Sequence, residues 1–184
     1  MKNEPYLLSN LFLYELKSLL YNPSTYLFQL IFITGINIFI FLVSDFFNSD
    51  FASPRLLLII FPWTCLLLVP ALTMRIWGIS VNNNEFELIR SFPVSDWHII
   101  FSKFFSIFTI LVLSLLLLFP FIITIYYLGN PDDGIIIITF ISCILVIFFY
   151  ISLSLFLSSL VPDPVGSFTL SLIVSFFLVL FGWN

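Results

Sequence analysis

The chain has 184 residues, 61% of them hydrophobic and 9% charged, with a formal net charge of -4, and its mean hydropathy is +1.17. A soluble domain carries roughly a quarter charged residues, so an aqueous fold is excluded, and long unbroken apolar runs favour spanning helices over the alternating strands of a membrane barrel. With only six Lys and Arg in all, a nucleic-acid surface and a polybasic lipid anchor are excluded as well.

The expected fold is all-α: a polytopic helical membrane protein with an amino-terminal amphipathic interfacial helix in residues 1–24 and a transmembrane domain in 25–184, interrupted by a cytoplasmic loop at 78–97. Glu4, Pro5, Glu15 and Lys17 interrupt any signal-peptide core, so no cleavage is expected. Ser9 is placed to cap a short helix in which Phe12, Leu13, Leu16, Leu19 and Leu20 share one face. Asn10, Glu15, Lys17 and Ser18 occupy the other. Such a helix is too polar to span and is expected in the inner interface plane, ended by Pro23.

Five segments approach the roughly 20 apolar residues needed to cross the hydrocarbon. In chain order they are Thr25 to Val43, Leu56 to Trp77, Ile99 to Leu128, Ile135 to Leu160 and Ser167 to Trp183. Pro62, Pro70 and Pro120 fall inside them and predict kinks. With the amino terminus inside, Lys2, Lys17, Arg75, Arg90 and Lys103 lie at or near the cytoplasmic face, and only Arg55 lies outside. Tyr21, Tyr26, Trp77 and Trp97 at one face, with Tyr126, Tyr127 and Trp183 at the other, fit the same span ends.

The spans offer little chemistry. Arg75 and Lys103 lie close enough to span ends to snorkel to the headgroups, and the span interiors are read as free of ionisable residues. That argues against a proton-coupled carrier, a carboxylate-based cation pump and an intramembrane protease. His98 stands alone in the first turn of the third span, without neighbours at metal-ligand spacing. Cys65 and Cys143 read as packing residues, and Asp132 and Asp133 as part of a solvated turn. Thr34, Ser114 and Ser152 are expected to hydrogen-bond between helices. No Gly-rich phosphate loop is present, so neither ATP binding by that route nor any other cofactor is expected.

The informative stretch is the loop after the second span. Its charged Glu85, Glu87 and Arg90 are interleaved with apolar Phe86 and Leu88, a makeup that suits a short helix docking on a partner protein. Pro93 stops it, and Ser95 with Asp96 is expected to cap the next helix. An ordinary solvated loop has the same composition, so the residues alone leave both readings open.

Thr73, Met74 and Arg75, then Glu87 and Leu88, then the run Pro93-Val-Ser-Asp-Trp97 followed by Lys103, resemble the signature region of ABC-2 type permeases. The likeness is greatest to the branch with gliding-motility and nitrous-oxide-reductase maturation permeases. The opening Leu13-Tyr14-Glu15-Leu16-Lys17 and the later Asn22-Pro23 resemble that family's interfacial helix. The pattern departs at Ile79 and Ser80, where the family has an acidic pair, and at Asn84 and Glu85, where it has Gly-Thr. Five spans are also one fewer than the family's six.

What the resemblance implies is the permease subunit of an ABC exporter, not itself an enzyme, in the inner or plasma membrane. Its expected partners are an ABC ATPase subunit, a second permease subunit and the bilayer. Glu85, Phe86, Glu87, Leu88 and Arg90 would contact the ATPase, and Phe12, Glu15, Leu16 and Lys17 would form the interfacial helix. A non-transporting membrane scaffold or assembly subunit, or a truncated permease, is the alternative.

Overall fold

A computed structural model describes residues 4–43, 54–82, 95–128, 131–161 and 163–182. Every regular element among them is helical: α1 Glu4–Leu20, α2 Pro23–Ile38, α3 Arg55–Asn82, α4 Asp96–Leu116, α5 Phe119–Leu128, α6 Asp133–Leu160 and α7 Pro164–Gly182. A π-helical turn, Phe39–Val43, extends α2.

Five stretches are long and apolar enough to cross a membrane: Pro23–Leu42, Arg55–Met74, Asp96–Tyr127, Asp133–Leu160 and Pro164–Gly182. The expected count of five holds, and each end lies within three residues of its expected place. The chain is therefore an all-α, polytopic fold.

Local chemistry sets the helix starts. Asn22 Oδ1 accepts from Ser24 N at 3.3 Å, with Pro23 as the first residue of α2, a position where a missing N–H costs nothing. Asp132 Oδ1 accepts from Gly134 N at 2.9 Å before α6. Asp163 Oδ2 accepts from Gly166 N at 2.7 Å before α7. Each carboxylate satisfies a donor that the helix cannot. At Gly166 a Cβ would meet Val161 Cγ1 at 2.9 Å, so the close approach of the turn at the start of α7 requires glycine.

The prolines act unequally. α3 continues through Pro62 and Pro70, whereas the third span breaks ahead of Pro120 into α4 and α5. The proline ring cannot donate to the Leu116 carbonyl and crowds it, so the chain tightens, with Leu118 N donating to Leu115 O at 3.1 Å. α5 then starts at Phe119.

α3 is the hub of the bundle: α2, α6 and α7 all pack on it, while α4 packs on α6 and on α1. Leu57, Phe61, Cys65, Leu68 and Leu72 form its buried stripe, at the three- and four-residue spacing of one helix face. Phe61 meets Phe32 of α2 edge-on, with ring centroids 5.8 Å apart. Cys65 and Cys143 are buried core residues, as expected of packing thiols.

The outer surface is apolar too, with Leu30, Leu145, Phe156 and Phe181 more than half exposed. In water that exposure would drive aggregation. In hydrocarbon it costs nothing.

Candidate functional site

The five proposed partner-contact residues, Glu85, Phe86, Glu87, Leu88 and Arg90, lie outside the described residues. Arg75 lies in α3, whose backbone is described there. The structure does place in view α1 and the start of α4, two of the elements that carry the resemblance.

α1 begins at Glu4, so Ser9 lies within the helix rather than at its cap. Pro5 is tolerated there because a first-turn N–H has no helical acceptor. The inward face of α1 carries Glu15 and Leu19, both buried, with Phe12 and Leu16 half-buried beside them. Leu13 and Tyr14 face outward with Lys17 and Ser18. This corrects the expected amphipathicity at its centre. Glu15 was expected on the polar, outer face and is only 6% exposed, whereas Leu13, expected inside, is 47% exposed.

The reason is Lys103. Its side chain is 1% exposed, and its Nζ lies 3.0 Å from Glu15 Oε1. The expectation that Lys103 snorkels to the headgroups therefore fails, and the third span holds a charge in its interior after all. Seven residues separate it from the start of α4 at Asp96, about 10 Å at 1.5 Å per residue. Buried there, the ammonium is met by a carboxylate from a neighbouring helix instead of by water.

Further contacts continue along the same face of α4. Ser106 Oγ, fully buried, donates to the Ser102 carbonyl one turn back at 2.7 Å and lies 3.2 Å from the Phe12 carbonyl of α1. One turn on, Gln29 Nε2 of α2 donates to the Ile110 carbonyl at 3.4 Å. Positions 103, 106 and 110 are spaced three and four apart and so lie on one stripe, and both helices that precede α3 are fastened to it. The pairings 15 with 103 and 12 with 106 run in opposite chain directions, so α1 lies antiparallel to α4 at this contact.

Ser95 sits at the amino-terminal cap position of α4 but makes no side-chain cap hydrogen bond. Its hydroxyl instead pairs with His98 Nδ1. The expected cap is thus replaced by a bond within the first turn, leaving Asp96 as that turn's acidic residue.

A second polar region lies where α3, α6 and α7 meet. Thr73 Oγ1 of α3 and Ser154 Oγ of α6 are 2.6 Å apart and buried. Ser167, Ser171 and Ser175 of α7 are buried at four-residue spacing, the small-residue pattern that lets membrane helices approach closely. Ser114 and Ser152 do not bond between helices as expected: each donates to the carbonyl four residues back, at 2.9 Å. That local acceptor needs no partner helix. Thr34 is exposed on α2.

Two apolar hollows flank Trp63. One, of about 370 Å³, is lined by Pro62, Trp63, Tyr150 and Val179 among others. The second, of about 230 Å³, lies between α2 and α3 over Gly35. Among the described residues, no group of three or more His, Cys, Asp or Glu is placed to hold a metal ion.

No family model, curated protein or solved structure matches this chain. Its functional reading therefore rests on the residues and their geometry.

Proposed function

We propose that this chain is the membrane-spanning permease subunit of an ABC exporter, working with a second permease subunit and with ATPase subunits that supply the energy. The observation that carries the reading is the Glu15–Lys103 ion pair. The resemblance to ABC-2 permeases rests in part on two separated stretches, Leu13 to Lys17 and Pro93 to Lys103, and Glu15 and Lys103 meet inside the bundle. A charge pair joining those stretches supports their belonging to one mechanical unit.

In this reading the amino terminus is cytoplasmic and the loop segment at residues 84–91 receives the push of the closing ATPase. The push enters α4 at Asp96. The ion pair carries it to α1, and α2 follows through Gln29 and the short connection at Tyr21 and Asn22. The break ahead of Pro120 separates this lever from α5. The chain transmits motion and hydrolyses nothing itself. A membrane scaffold subunit, which would use the same docking loop without transport, is the competing reading.

The test is co-purification in mild detergent with the products of neighbouring genes, beside the Glu87→Lys variant. An ATPase travelling with the native chain and lost from the variant is the expected result. A folded, monodisperse chain that recruits no ATPase would leave the scaffold reading in its place.

A further inference from the structure

We propose that the buried pairing of Glu15 with Lys103 builds α1 into the membrane bundle, so that α1 is a structural part of α4's environment rather than a helix resting on the lipid surface. This inference concerns the fold and stands whether or not the chain is a permease.

Lys103 is 1% exposed and the Glu15 side chain 8%. Neither charge has a route to water without moving a helix. An unpaired lysine or carboxylate in hydrocarbon is costly, whereas the two together cancel most of that cost. The pair is also the centre of a continuous contact. Leu19 is buried one turn along α1 on one side of Glu15, and on the other the Phe12 carbonyl lies 3.2 Å from Ser106 Oγ, whose shorter bond is to Ser102 O.

α1 is also held by Leu19, buried in the core, with Leu16 and Leu20 packed against it. Its outward face mixes Leu13 and Tyr14 with Lys17 and Ser18, which suits an interface poorly ordered by polarity alone. The inward carboxylate supplies the direction that the apolar residues do not. Lys103 in turn ties α4 to α1, since its ammonium is buried against the Glu15 carboxylate.

The test uses the full chain in native membranes and then in mild detergent. Glu15→Gln and Lys103→Met should each reduce accumulation and lower the thermal midpoint by about 6–20 °C. The double variant, which removes both charges, should recover most of the loss, as should the reversed pair Glu15→Lys with Lys103→Glu. Lys17→Met, on the outward face of the same helix, should change neither quantity.

A cysteine placed by Ser106→Cys gives a second readout, against native Cys65 and Cys143, which are 0% exposed. A membrane-permeant maleimide should label it slowly in the otherwise native chain, faster when Glu15→Gln is added, and slowly again in the double variant. Additive losses in the double variant would overturn the proposal. So would single variants that leave both stability and labelling unchanged, or failure of both the double variant and the reversed pair to restore accumulation.

Discussion

The α1–α4 contact and the α3–α6–α7 junction solve one problem by opposite means. Both must hold helices together where the surrounding solvent is as apolar as the side chains, so burial of leucine supplies little net attraction. At α1–α4 a full charge pair is buried. At α3–α6–α7 small serines allow close approach, and one hydroxyl pair joins Thr73 to Ser154. A charge pair fixes direction and register strongly, because every misaligned alternative strands a charge. A serine stripe fixes distance but tolerates sliding. The first region therefore behaves as a rigid joint and the second as a packed but adjustable seam.

The largest effect that separates them should come from removing one charge. Lys103→Met leaves Glu15 buried without its cation, a loss of about 3–5 kcal/mol, read as the thermal midpoint in detergent. No single hydroxyl at the seam should approach that. If Thr73→Val proved as damaging as Lys103→Met, the contrast between joint and seam would collapse.

At the seam, crowding should matter more than lost hydrogen bonds. Ser171 is fully buried where α7 packs against α3 and α6. Ser171→Leu should cost about 1–3 kcal/mol through overpacking, while Ser171→Ala should be nearly neutral, since the buried Ser171 hydroxyl has no hydrogen-bond partner among the described residues. Unfolding of both variants in the same detergent distinguishes the two effects. Thr73→Val should be milder than the leucine, about 0.6–1.7 kcal/mol, the range of interhelical hydrogen bonds in membranes.

How far the sequence speaks differs between the same two regions. The spans were legible because their signals are local: hydropathy, Pro23 ending the helix before the first span, and the turn at Asp132 and Asp133. The two errors of amphipathicity at α1 have a common physical source. Placing Leu13 inward and Glu15 outward assumes water outside, but a helix in contact with lipid can expose leucine at no cost and has every reason to bury a charge against its opposite. The partner that decides it, Lys103, lies in a different span, and no periodicity within α1 points to it. The signal that could have found it was Lys103 itself, a lysine well inside an apolar run. Glu15 was one of few carboxylates able to answer it. The partner-contact loop, by contrast, was read from composition and resemblance alone, and its residues lie outside the described ones.

The smallest effects test whether helix starts are held by side chains where the geometry says so. Asp163 accepts from Gly166 N at 2.7 Å at the start of α7, whereas Ser95, in the corresponding place at α4, makes no such bond. Asp163→Ala should therefore cost about 1 kcal/mol, and Ser95→Ala much less. The measurement is hydrogen exchange of the first-turn amides of each helix. Exchange at Gly166 should accelerate in the Asp163 variant, because its amide loses its acceptor. In α4 the first turn should barely respond to the loss of the Ser95 hydroxyl, since that group is turned toward His98. Equal acceleration at both sites would mean that Ser95 caps α4 after all, and that the rigid joint begins one residue earlier than Asp96.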